Sequence, residues 1–190
     1  MEPFLSGDRA RRLVAWAVVA LPTAAIAQVD EDSGEECTVG VACGKATPDG
    51  RPLLWKTRDT SSRHNEVVRF TDGKYEYLAL VTAGQNRSAW AGSNEKGFCI
   101  MNSVSTDFRR GGAGNGPGNG RMMKIALQSC ATVADFEALL KKTDESGRRT
   151  RANFGVIDAT GAAAVFETSP DSYTRFDADD PEIAPKGFIV

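Results

Sequence analysis

Short apolar runs, separated by turn residues, recur along most of this chain and predict β-strands. In the first half such runs cover 38–45, 53–57, 66–71, 74–81, 88–92 and 98–102, and in the last third they cover 153–158, 162–168, 173–176 and 187–190. The segments Thr47-Pro48-Asp49-Gly50, Asp72-Gly73, Asn94-Glu95-Lys96-Gly97 and Ala159-Thr160-Gly161 lie between them and have the composition of tight turns. The pattern therefore predicts two groups of strands, connected largely by hairpins.

Two helices are predicted between the two groups of strands. The first covers 121–129, and the second begins after Thr132, whose side chain is expected to cap the helix together with Asp135 at position N3. Each helix has an apolar stripe that predicts one core-facing side. The order of strands, then helices, then strands favours an α+β layered fold over a parallel β-α-β fold. The stripes contain Met122, Ile125, Ala126 and Leu127 in the first helix, and Val133, Phe136, Leu139 and Leu140 in the second.

Composition narrows the possible functions. The chain has 190 residues, 41% hydrophobic and 25% charged, which is ordinary for one globular domain. Its net charge is −2 without a basic stripe, so nothing predicts nucleic-acid binding. The cluster 148–151, RRTR, is expected to be a solvated loop. The segment 111–120, GGAGNGPGNG, contains no phosphate-binding glycine motif and predicts a surface loop.

The N-terminal residues resemble a secretory signal peptide. Arginines at positions 9, 11 and 12 precede a mostly apolar stretch, 13–26, and Ala25-Ile26-Ala27 forms a small-x-small cleavage signal. Residues 1–27 are therefore predicted to be a signal peptide, with an uncleaved anchor as the alternative. No later stretch is apolar enough to span a membrane, so the mature protein is expected to be periplasmic or secreted, without a membrane contact.

The four cysteines then face an oxidising compartment, where two disulfides are possible by number. Their spacing indicates no pairing, and the default expectation for Cys43, Cys99 and Cys130 is small buried hydrophobic side chains. With His64 as the one histidine and no clustered ligands, neither a metal nor another cofactor is predicted.

Cys37 is the strongest candidate nucleophile. It begins the first predicted strand behind the leader 28–36, which is predicted to be a short propeptide removed by cleavage between Glu36 and Cys37. Cleavage would free the α-amine of Cys37, and an α-amine with a pKa near 8 is able to take the thiol proton. No GxSxG motif is present, and a Cys37–His64 pair would rely on a histidine in a polar stretch that is expected to be exposed.

Several motifs occur together in a characteristic order: Cys37-Thr38, the GKAT-PDG turn, the strand that ends Lys56-Thr57-Arg58-Asp59, the Asn94–Gly97 turn and the hairpin 153–167. Together they resemble the N-terminal nucleophile cysteine hydrolases, in particular the choloylglycine hydrolase, penicillin V acylase and acyl-CoA:6-aminopenicillanate acyltransferase group. The resemblance covers residues 37–190 and implies an αββα sandwich. Family residues that would fall after Val190 imply that the domain is incomplete at its C-terminus.

The resemblance also implies roles for five residues. Cys37 would be the nucleophile, Asp59 would hold its α-amine, and Asn102 would donate to the oxyanion. Lys56 and Arg58 would bind the substrate, with lysine standing where many members of the family have arginine.

The resulting hypothesis is a secreted, self-processing hydrolase or acyltransferase that acts on the linear C–N bond of a small amide. A homo-oligomer is possible. One alternative is a non-enzymatic exported binding or structural domain stapled by disulfides, and another is an enzyme that uses Cys37 with His64.

Overall fold

A computed structural model of the chain describes residues 37–108 and 116–190. The predicted signal peptide, the predicted propeptide and residues 111–115 of the glycine-rich segment lie outside the described residues. Within the described ranges, no helix has the length and apolar character needed to cross a membrane.

The larger of two sheets has seven strands, which follow one another in sequence order from β3 at one edge to β9 at the other. Every neighbouring pair is antiparallel, as hairpin connections require. The strands are β3 (Asn65–Phe70), β4 (Tyr77–Thr82), β5 (Ala91–Asn94), β6 (Cys99–Val104), β7 (Ala152–Ile157), β8 (Ala163–Thr168) and β9 (Tyr173–Asp177).

The smaller sheet has three strands in the order β10-β1-β2, and both of its pairs are antiparallel. Its strands are β1 (Thr38–Ala42), β2 (Leu53–Thr57) and β10 (Phe188–Ile189). Gly50 in the turn between β1 and β2 has a φ of 72°, a conformation that glycine adopts without strain. The predicted first hairpin is formed, but β1 ends at Ala42 and not at residue 45, because a 3-10 helix, Gly44–Ala46, follows it.

The described residues form two α-helices, α1 (Asn119–Ser129) and α2 (Val133–Asp144). The predicted capping of α2 is confirmed, because Thr132 accepts from the backbone N–H of Asp135 and the Asp135 carboxylate accepts from that of Thr132. Helix α1 begins earlier than predicted and includes Gly120. A Cβ on this glycine would lie 2.7 Å from the Cβ of Ser88. Gly120 therefore lets the helix pack closely against Ser88 and does not belong to the predicted loop.

The larger sheet is covered on both faces. On β8, Ala164 and Phe166 belong to the core shared with both helices, whereas Ala163 and Val165 belong to a second core under the smaller sheet. A Cβ on Gly155 of β7 would lie 2.8 Å from the side chains of the smaller sheet, so this glycine lets the sheets approach closely. The predicted α+β class is confirmed, and the described residues supply three layers of the sandwich: helices, larger sheet and smaller sheet.

Strand β5 differs from its prediction, because it begins at Ala91 and not at Ser88. Its last residue, Asn94, is buried, and its Nδ2 donates to the carbonyl oxygens of Leu127 at 3.0 Å and Cys130 at 2.7 Å. These bonds satisfy carbonyl groups at the C-terminus of α1, which helices otherwise leave unpaired. The asparagine of the predicted turn therefore also connects the larger sheet to the helical layer.

The prediction that 148–151 is a solvated loop is wrong for Arg148 and Thr150, which are completely buried. The Arg148 guanidinium donates to the backbone oxygens of Leu140 at 2.7 Å and Ser172 at 2.9 Å, and it pairs with Asp144 at 2.5 Å. A buried arginine is tolerated when its N–H groups are bonded in this way. Arg148 therefore joins the end of α2 to the loop between β8 and β9.

Candidate active site

Cys37 immediately precedes β1, and its thiol is partly buried. Its Sγ lies 3.7 Å from the backbone oxygen of Asp59, which is 22 residues further along the chain and has an exposed side chain. Because β1 and β2 are antiparallel neighbours, the start of β1 lies beside the end of β2. The fold thus brings the predicted nucleophile next to the predicted amine-holding aspartate.

The register of the smaller sheet places three of the predicted site residues on one face. Thr38 pairs with Thr57, so one further step places Cys37 opposite Arg58. Side chains alternate along a strand, and Cys37 therefore shares the inner face of the sheet with Lys56 and Arg58. Opposite residues in such a sheet are about 5 Å apart and diagonal ones roughly 7–8 Å, which long side chains bridge.

Lys56 connects the two sheets. Its Nζ donates to Oδ1 of Asn102 at 3.0 Å and to the backbone oxygen of Trp90 at 3.4 Å. Asn102 is on β6 of the larger sheet and is only 1% exposed. The predicted oxyanion donor and the predicted substrate-binding lysine are therefore in direct contact.

Arg58 packs against an aromatic side chain that the sequence did not indicate as part of a site. Its Cζ lies 4.6 Å from the ring centroid of Trp90. Trp90 is buried, and its ring N–H donates to Oγ1 of Thr82 at 3.1 Å, which fixes the ring plane. A guanidinium over an indole face is attracted by the ring quadrupole. No local signal in the sequence identifies this pair, because the two residues meet only when the sheets stack.

An apolar groove of about 300 Å³ lies between residues of the smaller and the larger sheet. Leu54 of β2 and Met101 of β6, the strands that carry Lys56 and Asn102, form part of its wall. The groove runs over the part of the larger sheet that the smaller sheet leaves uncovered, which accounts for the exposure of Val67 and Leu78 there. Further wall residues are Val67, Leu78, Leu80, Cys99 and Ile157.

All four cysteines lie in the described part of the chain, and each is a free thiol. Cys43 and Cys130 are buried as expected, whereas Cys99 is only partly buried, contrary to the expectation. Burial raises the pKa of Cys130 to about 11 and also raises the pKa of Cys99, which a hydrogen bond with Ser93 opposes. The thiols of Cys99 and Cys130 are therefore neutral near pH 7. The free cysteines give no support to a disulfide-stapled domain.

His64 is exposed, as the sequence predicted. Among residues 37–108 and 116–190, no group of three histidine, cysteine, aspartate or glutamate side chains is arranged to hold a metal ion.

The fold is that of the N-terminal nucleophile hydrolases. In detail, the chain is similar to the structure of an N-acylethanolamine-hydrolyzing acid amidase ortholog from Caenorhabditis elegans, with a TM-score of 0.56 and 11% identity over 80% of this chain and 68% of that chain. No family model and no curated protein matches the chain by sequence.

Two bacterial structures are similar over a smaller share of their length. Penicillin V acylase from Agrobacterium tumefaciens has a TM-score of 0.46 and 16% identity over 81% of this chain and 44% of that chain. A conjugated bile acid hydrolase mutant from Clostridium perfringens has a TM-score of 0.46 and 12% identity over 82% of this chain and 45% of that chain. This chain therefore spans less than half the length of either bacterial enzyme.

Proposed function

We propose that the protein is an exported, self-processing hydrolase or acyltransferase that cleaves linear amide C–N bonds with Cys37 as its N-terminal nucleophile. The observation that carries this proposal is the position of Cys37: a free, partly exposed thiol directly before β1, with its Sγ 3.7 Å from the backbone of Asp59. A cysteine in this position becomes nucleophile and base together once the bond before it is cut.

In the proposed reaction, the free α-amine of Cys37 takes the thiol proton and the thiolate attacks the amide carbonyl carbon. The resulting ammonium then gives its proton to the leaving nitrogen as the C–N bond breaks, which leaves a thioester on Sγ. Water hydrolyses the thioester in a hydrolase, whereas a second amine takes the acyl group in an acyltransferase. Asp59 would hold the ammonium, and since a nearby carboxylate raises the pKa of an amine, its task would be orientation more than activation.

The proposed oxyanion donor is the side-chain amide of Asn102. Buried N–H groups aimed at the developing negative charge stabilise the transition state more than the substrate. The backbone N–H of Thr38, the next residue after the nucleophile, is bonded to Oγ1 of Thr57 at 3.1 Å and is therefore engaged elsewhere. Arg58, on the same face as Cys37, would bind the polar part of the substrate.

The groove supports an apolar acyl group in the substrate. Its walls are mainly aliphatic, and two of its wall residues, Leu54 and Met101, come from the strands that carry Lys56 and Asn102. We expect the acyl chain of the substrate to lie in this groove. Burial of apolar surface contributes roughly 25 cal/mol per Å², so the groove is able to distinguish long acyl groups from short ones.

We expect the mature protein to begin at Cys37. Intact-mass spectrometry and N-terminal sequencing of the purified protein should find no residue before Cys37, because the proposed base exists only after that cleavage. A stable, active protein that begins at Gln28 would contradict the proposal. The same preparation is then screened against amides with apolar acyl groups.

Leu78→Ser is expected to lower kcat/KM for amides with a long apolar acyl group about tenfold, because it removes apolar surface from the groove wall. The effect on an acetyl amide should be small. Leu78 is 50% exposed, so the substitution should not unfold the protein. Ile183→Ser is the matched control, since Ile183 is 45% exposed and lies outside the groove. Equal losses for long and short acyl groups would show that the acyl chain binds elsewhere.

A further inference from the structure

The hydrogen bond between Lys56 and Asn102 limits how the asparagine amide is oriented. A lysine ammonium has three N–H donors and no acceptor, so it bonds to an amide only through the carbonyl oxygen. Nζ of Lys56 lies 3.0 Å from Oδ1 of Asn102, which directs the Nδ2–H groups away from the lysine. The opposite orientation would place amide N–H groups against a positive charge.

The contact is also sheltered from water. Asn102 is 1% exposed, and Lys56 bonds to the backbone oxygen of Trp90 as well, at 3.4 Å. A hydrogen bond between a charged donor and a buried acceptor is stronger than one between neutral groups. Polarisation of Oδ1 by the ammonium also makes the two N–H groups better donors, as in other chains of hydrogen bonds.

We propose that Lys56 is a positioning residue that sets the amide of Asn102 so that Nδ2 donates to the oxyanion. This role rests on the proposed function and goes beyond it. Lys56 would act through Asn102 and would not itself bind a carboxylate of the substrate. At least two of its three N–H groups already point to acceptors of the protein itself. That leaves at most one of its N–H groups for a substrate carboxylate.

The test is a double-mutant cycle on the intact, processed protein. Lys56→Met keeps the length of the side chain and removes the donor. We expect it to lower kcat roughly 10- to 100-fold with little change in KM, because a misplaced catalytic group costs about this much. Asn102→Ala should lower kcat about 100- to 1,000-fold, the cost of one oxyanion donor. In the Asn102→Ala background, Lys56→Met should then have almost no further effect.

Two further variants serve as controls. Lys56→Arg keeps a charged donor and should recover most of the activity. Lys45→Met removes a lysine that bonds to the backbone oxygen of Asp179 and should leave kcat unchanged. Additive losses in the cycle, or a rise in KM confined to substrates with a carboxylate, would overturn the positioning role.

A second measurement does not depend on turnover. The side-chain NH₂ resonance of Asn102, assigned from its loss in Asn102→Ala, should shift in Lys56→Met and much less in Lys56→Arg. An unchanged resonance in Lys56→Met would overturn the proposal whatever the activity. A processed wild-type protein that cleaves none of the amides would instead overturn the proposed function, and the two failures are thus distinguished.

Discussion

Cys37→Ala is expected to abolish amide cleavage, with a loss of about 10⁴-fold or more in kcat, since removal of a nucleophile leaves only binding and oxyanion stabilisation. No other group among the described residues combines a partly exposed thiol with a position directly before a strand. Activity is measured by release of the amine from an amide with an apolar acyl group.

The same variant should retain the segment that precedes residue 37 if the cleavage is autocatalytic. In that case the thiol of Cys37 attacks the preceding carbonyl, and alanine has no group to do so. Intact mass distinguishes the two forms directly. A cleaved but inactive Cys37→Ala protein would show that another protease removes the leader, while leaving the nucleophile assignment intact.

Cys130→Ala is the control for this experiment. Cys130 is buried in the core shared with the helices, and burial holds its pKa near 11, so it is not expected to react. The variant should keep its hydrolytic activity and its processed N-terminus at a modest cost in stability. Full activity of Cys37→Ala, or a complete loss in Cys130→Ala at normal folding, would refute the assignment of the nucleophile.

Arg148→Ala is expected to lower the free energy of unfolding by about 3–5 kcal/mol, the cost of removing one partner from a buried ion pair. The guanidinium is completely buried and bonds to Leu140, Thr143 and Ser172 as well as pairing with Asp144. Without it, carbonyl groups at the end of α2 and in the loop before β9 lose their donors in a place that water does not reach.

Urea unfolding followed by circular dichroism measures the effect. The adjacent Arg149 gives a matched control, because it is exposed and its alanine variant should change stability by no more than about 0.5 kcal/mol. Arg148→Met, which keeps much of the volume, should still lose most of the stability. Similar unfolding midpoints for Arg148→Ala and Arg149→Ala would show that the buried network contributes little.

Local sequence patterns were sufficient to predict most of the strands and helices. Strand β2 begins and ends at the residues predicted from the run 53–57. Thr132 and Asp135 cap α2 as the capping signature predicts. Hairpins, turns and caps depend on residues within a few positions of one another, so their physical causes are visible in the order of the amino acids. The candidate nucleophile Cys37 was identified in the same way, from its place before a strand.

The burial of charged and polar groups could not be predicted from the sequence, because it depends on packing between distant parts of the chain. Nothing near Arg148 distinguishes it from the exposed Arg149, because its partners come from α2 and from the loop before β9. Lys56 and Asn102 are 46 residues apart, and Trp90 meets Arg58 only through the stacking of two sheets. The amino-acid sequence by itself therefore predicts the secondary structure and a candidate nucleophile. The partners of each charged group depend on the tertiary structure, because distant parts of the chain must pack together to exclude water from it.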